Sequence, residues 1–154
     1  MIPGKENEKN NLNRDIKRRL IALLAIAVFV FKIMINIDEF TELMDKISEE
    51  LPDEFYKDLN GGILILPDTR ISPHARADDL YILGTYNRSS SMGRHIEIYY
   101  GSFVKLFSHL PKDALEERMR EVLFHEFTHH IESLAGEKGL EKKDEEQMRE
   151  YLRR

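Results

Sequence analysis

The chain has 154 residues, of which 42% are hydrophobic and 33% are charged, and this length corresponds to one modest domain. It contains no cysteine, which excludes disulfides and thiolate ligands and leaves His, Asp and Glu side chains for any metal. The net charge of −5, with no basic stripe beyond Lys17–Arg19, argues against nucleic-acid binding.

The N-terminal part differs in composition from the rest of the chain. Residues 1–13 are polar, Arg14–Arg19 is basic, and Leu20–Phe31 is an unbroken apolar run. Residues 20–37 include one charge, Lys32, and are short for a helix that spans a bilayer. No small-residue cleavage site follows, which argues against a cleaved signal peptide.

We therefore predict an N-terminal extension, residues 1–37, made of a polar tail and the apolar segment 20–37. Three interpretations remain open: a signal anchor with its basic flank inside, a buried helix, or an upstream extension outside the working protein. Met34 favours the third, because an amphipathic helix begins just after it. The sequence thus predicts a cytoplasmic protein, with membrane attachment through residues 20–37 as the alternative.

Residues 38–154 have the pattern of a compact α+β domain. The predicted elements, in chain order, are a helix capped by Asp38 and ended by Pro52, a short helix Asp53–Leu59, a strand Ile63–Leu66, a loop Asp68–Asp79, strands Leu80–Tyr86 and Arg94–Tyr100, and helices Gly101–His109, Pro111–Leu134 and Asp144–Arg153. A polar turn separates the last two strands, which we expect to pair as a hairpin.

Residues 125–129, His-Glu-Phe-Thr-His, lie inside the predicted helix Pro111–Leu134. Two histidines four apart stack one turn above the other, so that both imidazoles can bind one metal ion. Glu126 then reaches a water on that ion as general base. The motif predicts a Zn²⁺ hydrolase, whereas the simpler interpretation is an amphipathic helix with two solvated histidines.

The segments LNGGILILPD, DDLYILGTYNRSSSMGRHIEIYYGSF and HEFTHHIESLAGE resemble the small bacterial zincin-like metallopeptidase family, particularly its clostridial-type members. The resemblance begins near Asp38 and excludes residues 1–33. It implies a minimal zincin, with a small three-stranded sheet packed on the active-site helix and flanking helices. It also implies zinc-dependent cleavage of peptide or protein substrates.

The third zinc ligand is open at this stage. The wider Asp-zincin pattern continues with Gly and Asp where this chain has Glu132 and Ala135. Glu132 leans back toward His129 and is the first candidate. By analogy with gluzincins, a carboxylate from the C-terminal segment competes with it; the candidates are Glu141, Asp144, Glu145 and Glu146. Asp144 also has the simpler interpretation of a helix N-cap.

Two further points of function follow from the sequence. Substrate is expected to pair along an edge strand above the helix, and His95, Tyr99 and Tyr100 are candidates to stabilise an oxyanion, although packing is the commoner role of strand aromatics. His74 is expected at the surface. The alternative function is a non-catalytic metal-binding or regulatory module with the same fold. The sequence does not indicate an oligomeric state.

Overall fold

The computed structural model describes residues 14–24, 35–77, 79–136 and 139–153, without the side chains of 139–142. The chain forms two compact units, Met1–Met34 and Ile35–Arg154. In the first unit, residues 14–24 form helix α1. The predicted polar tail, Met34 and the apolar segment from residue 25 to residue 34 lie outside the described residues. Among the helices that are described, none combines the length and apolar character needed to cross a bilayer.

Helix α2, Ile37–Ser48, begins with a capping box. The Asn36 side chain accepts from the backbone N–H groups of Asp38 and Glu39, and the Glu39 carboxylate accepts from the Asn36 N–H at 3.0 Å. The prediction of Asp38 as the cap was therefore wrong, because Asn36 reaches these N–H groups and Asp38 lies in the first helical turn. The helix buries Phe40, Leu43, Met44 and Ile47.

The remaining described elements follow in chain order. They are a 3₁₀ turn Asp53–Tyr56, β1 Gly62–Leu66, β2 Arg70–Ile71, β3 Tyr81–Ile82, β4 Gly84–Ser89, β5 Gly93–Tyr99, α3 Tyr100–Phe107, α4 Lys112–Ala135 and α5 Gly139–Arg153.

The structure corrects the sequence-based boundaries at three places. The predicted strand Leu80–Tyr86 is divided, because Tyr81–Ile82 pairs with Arg70–Ile71 while the chain from Gly84 pairs with β5. The segment predicted as a continuous loop therefore contains strand β2. The C-terminal helix begins at Gly139, so Asp144 lies within it and does not cap it.

The main sheet has the order β1-β5-β4, with β1 parallel and β4 antiparallel to β5. The predicted hairpin and the α+β class with a small three-stranded sheet are confirmed. Side chains alternate across β5. Ile96 and Ile98 enter the core, whereas Glu97 lies on the opposite face of the sheet.

Helix α4 runs through the core of the second unit. It contributes Leu115, Met119, Leu123 and Phe127 to one apolar cluster with the buried residues of α2 and β5. Each of these four side chains is at most 6% exposed. This packing fixes the rotation of α4 and therefore the direction in which its histidines project.

Candidate metal centre

His125 and His129 lie one turn apart on α4. The helix begins after Pro111 and ends at Gly136, whose φ of 73° is the left-handed conformation that glycine adopts without strain. The two imidazole centroids are 4.8 Å apart, and the side chains are 42% and 16% exposed, respectively. The helix thus places both rings at the surface of the core, with that of His125 the more exposed.

Asp144 of α5 meets both histidines. Its Oδ2 lies 3.0 Å from His129 Nε2 and 3.5 Å from His125 Nε2. One ligand atom from each of the three residues falls within 4.8 Å of the others. Two turns of one helix and one turn of another therefore bring together two nitrogens and one carboxylate oxygen.

The donor set suits zinc. Zinc binds His nitrogen and carboxylate oxygen at about 2.0–2.2 Å, which in a tetrahedral site separates neighbouring ligand atoms by roughly 3.3–3.6 Å. The distances of 3.0 and 3.5 Å from Asp144 Oδ2 to the two nitrogens are close to that spacing. Three protein ligands leave one tetrahedral position for water or substrate.

The structure brings one of the acids proposed as third ligand to the histidines. Asp144 belongs to the group, whereas Glu132, the first candidate, does not. Glu145 and Glu146 are exposed on α5. The side chain of Glu141 lies outside the described residues.

Glu126 is buried beside the two histidines, with 6% of its surface exposed. Its approach to the sheet depends on Gly84, where an added Cβ would lie 3.0 Å from Glu126 Cγ. Burial raises the pKa of the Glu126 carboxyl to about 7, a backbone hydrogen bond at Tyr86 opposes that rise, and the negative charge of Asp144 adds to it. A carboxyl with this pKa is suited to exchange protons near neutral pH.

A cleft of about 580 Å³ opens beside His125 and Glu126. Its remaining wall is mostly apolar and is formed by the chain from β3 to β4, by α4 and by one face of α5; the apolar residues include Leu80, Ile82, Leu83, Val122 and Met148. The cleft therefore joins a polar end at His125, Glu126 and Asp144 to an apolar body.

Helix α5 is also attached at its C-terminal end. The Tyr151 hydroxyl donates to Asp79 Oδ1 at 2.7 Å and accepts from the Arg76 N–H at 3.3 Å, and the Arg76 side chain donates to the Leu152 carbonyl. These contacts join α5 to the loop between β2 and β3. The same helix thus supplies a ligand candidate and one wall of the cleft.

The other residues suggested from the sequence lie elsewhere. On β5, the Tyr99 hydroxyl donates to Glu97 at 2.6 Å, and His95 Nε2 lies 3.6 Å from the same carboxylate, on the face opposite the core. Tyr100 donates to the Ile35 carbonyl, and His74 is exposed as expected. None of these four residues is among those that line the cleft at His125.

His130 was not singled out from the sequence, yet it is completely buried. Its Nε2 lies 2.9 Å from the Lys57 carbonyl and its Nδ1 lies 3.3 Å from the Tyr86 hydroxyl. The geometry fits a neutral ring that donates from Nε2, and burial lowers the pKa of His130. This histidine attaches α4 to β4 and to the turn before β1. The signal available in the sequence was its position four residues after Glu126, which places it on the same face of α4.

Comparison with known proteins finds a relative of known structure. No protein-family model and no curated protein matches the chain. A solved structure, described as a conserved hypothetical protein from Thermo thermophilus, is 32% identical in sequence and has a TM-score of 0.55. The match covers 66% of this chain and 98% of that protein. That description states no activity.

Proposed function

This chain belongs to the same family as the conserved hypothetical protein from Thermo thermophilus, and we propose that it is a zinc-dependent metallopeptidase of the minimal zincin type. The observation that carries the proposal is the convergence of His125, His129 and Asp144 beside a buried Glu126 at the end of an open cleft. If the contact of Asp144 with the histidines were only a structural ion pair, it would require neither the open cleft nor the buried Glu126 carboxyl beside it.

The residues have separate roles in this proposal. His125, His129 and Asp144 hold the ion, and Glu126 is the general base. When bound, zinc supplies Lewis-acid chemistry by raising the acidity of water and polarising a substrate carbonyl. Glu126 takes the proton from the attacking water, since its carboxyl borders the cleft beside His125. It then delivers that proton to the leaving amine as the peptide bond breaks.

The cleft suggests the substrate class. A peptide that places its carbonyl near the histidines would extend a side chain along the wall formed by Leu83, Val122 and Met148. Because this wall is apolar, burial of an apolar side chain is favourable by about 25 cal/mol per Å². We therefore assign peptides with a large apolar residue beside the scissile bond as substrates.

Metal analysis with matched variants tests the ligand set. We expect about one zinc per native chain, and strongly reduced zinc in His125→Ala, His129→Ala and Asp144→Ala. Glu132→Ala is the control and should keep its zinc, because Glu132 lies outside the ligand group. A folded native protein that takes up no zinc after dialysis against the metal would contradict the proposal.

A peptide library tests the chemistry. Glu126→Gln should keep zinc and lose about a hundredfold to ten-thousandfold in kcat/KM, the usual contribution of a general base. Glu117→Gln, at an exposed position of the same helix, should behave as the native chain. If native, zinc-loaded protein cleaves no peptide, the alternative of a non-catalytic metal-binding or regulatory module replaces the peptidase.

A further inference from the structure

Helix α1, residues 14–24, exposes large apolar side chains. Four of them, Ile16, Leu20, Leu23 and Leu24, follow the spacing that forms one face of a helix. Their exposed fractions are 46%, 53%, 63% and 61%, and Ile21 is 66% exposed. Apolar side chains concentrated on one short helix usually mark an interaction surface.

The basic residues of α1 lie mainly on its other face, which also contains Ile21. The helix contains four cationic residues and one acid; the cations are Arg14, Lys17, Arg18 and Arg19. Asp15 forms an exposed ion pair with Arg19 at 3.3 Å. The chain as a whole has a net charge of −5, so this cationic cluster contrasts with the rest of the sequence.

From this arrangement we propose that α1 binds the surface of an anionic phospholipid bilayer. An apolar face flanked by Arg and Lys is the arrangement with which interfacial helices bury one side at the acyl boundary and hold lipid phosphates with the other. Nucleic acid would engage the cations and leave the apolar face in water. Two copies packed through that face would bring their cationic clusters together. Of these three partners, the bilayer is the one that satisfies both faces.

The proposal is independent of the peptidase activity, because it uses only residues 14–24. It describes a helix that lies in the interface and does not cross the bilayer. A bilayer-bound α1 would concentrate the chain at a membrane surface whatever its substrate.

Vesicle sedimentation of the full-length chain tests the proposal. We expect the protein to sediment with vesicles containing about one-third phosphatidylglycerol, and on the order of tenfold less with pure phosphatidylcholine. High salt should weaken the binding, because salt screens the attraction to anionic headgroups. Alkaline carbonate should release the protein, as it does for a peripheral helix.

Paired variants separate the two faces. Arg14→Gln with Arg18→Gln should remove the preference for anionic lipid, and Leu20→Gln with Leu23→Gln should weaken binding to the anionic vesicles on the order of tenfold while keeping good helix formers. Lys105→Gln with Lys112→Gln removes the same charge from exposed positions elsewhere and should bind vesicles like the native chain.

Several results would overturn the inference. They are equal sedimentation with and without vesicles, equal affinity for neutral and anionic lipid, resistance to carbonate extraction, and self-association in lipid-free buffer that the Leu20/Leu23 variant abolishes. Retention on nucleic acid together with no vesicle binding would identify a different partner class and would also refute the proposal.

Discussion

Gly84 and Glu126 mark the closest approach of β4 to α4. A Cβ at position 84 would lie 3.0 Å from both Glu126 Cγ and Val122 Cγ1, and 3.2 Å from Glu126 Oε1. Contacts of this length are tighter than packed atoms normally adopt, so a side chain at position 84 must displace its neighbours. At the residue scale, the position of the proposed general base therefore depends on the absence of a side chain in the strand opposite it.

We predict that Gly84→Ala reduces kcat on the best library peptide by about tenfold to a hundredfold, because small displacements of catalytic groups have effects of this size. Zinc content should be unchanged, since the ligands lie on other residues. Thr85→Ala, whose hydroxyl faces Glu97 on the other side of the sheet, is the control and should keep full kcat. Native kcat in Gly84→Ala would show that Glu126 tolerates the displacement.

The raised pKa of Glu126 predicts a pH dependence of stability in metal-free protein. In the unfolded chain this carboxyl ionises near pH 4.5, and in the fold it ionises near pH 7. Below pH 4.5 both states are protonated and the group has no effect, whereas above pH 7 the fold must hold a buried charge. The free energy of unfolding therefore decreases as the pH rises through this window, by about 3 kcal/mol in total.

Glu126→Gln removes this ionisation. With chelator present, the variant should gain stability relative to the native chain as the pH increases from 4 to 8, measured as the difference in urea midpoints at each pH. Comparing the two chains at one pH cancels other titrating groups such as His130, whose lowered pKa acts in the opposite direction. A constant difference across the range would refute the assigned ionisation.

Helix α5 buries little apolar surface against the rest of the second unit. Of the side chains described on it, Asp144, Met148 and Tyr151 are half-buried and the others are exposed. Its attachments are polar: Asp144 to the histidines near one end and Tyr151 to Asp79 near the other. At the scale of the element, a bound ion would join α5 to α4 and complete the wall of the cleft.

We predict that chelation loosens α5. Hydrogen exchange of amides in residues 139–153 should increase on zinc removal, while the amides of α4 around Leu123 remain protected. Asp144→Asn should show the loosened pattern even with zinc present, and Glu145→Gln, its exposed neighbour, should respond to zinc as the native chain does. Equal exchange of α5 with and without zinc would contradict the coupling.

At the scale of the whole molecule, the core belongs to the second unit. Among the described residues, every buried hydrophobic side chain lies between Phe40 and Phe127. Ile35 packs against this cluster, and Asn36 caps the first helix of the unit. This unit thus contains its own core, its helix cap and the candidate metal group.

A chain that begins at Met34 is therefore expected to be folded and to bind zinc with the affinity of the full-length protein. Circular dichroism and a thermal melt measure the fold, and the melting temperature should change by only a few degrees because no described core residue is removed. An insoluble or unfolded product would show that the apolar segment 20–37 is a core helix, since losing such a helix exceeds the stability margin of a small domain.

Local patterns in the sequence determined the helix that carries the motif and the hairpin of β4 and β5. The periodic spacing of Leu115, Met119 and Leu123 specifies one buried face of α4 and so places His125 and His129 together on another. Such features depend on residues a few positions apart. The same reasoning could name Asp144 among several acids but could not select it.

Only the tertiary structure decided which acid joins the histidines. Asp144 lies fifteen residues beyond His129 in the sequence, so its contact depends on how α5 packs against α4. The tertiary structure also decided that the buried His95 and Tyr99 meet Glu97 and not the cleft, and that the chain between Tyr81 and Tyr86 divides between two sheets. Strand register and helix docking result from contacts between distant segments, whose summed free energies outweigh local preferences. The sequence therefore specified the chemistry of the motif, and the packing of separate elements specified its surroundings.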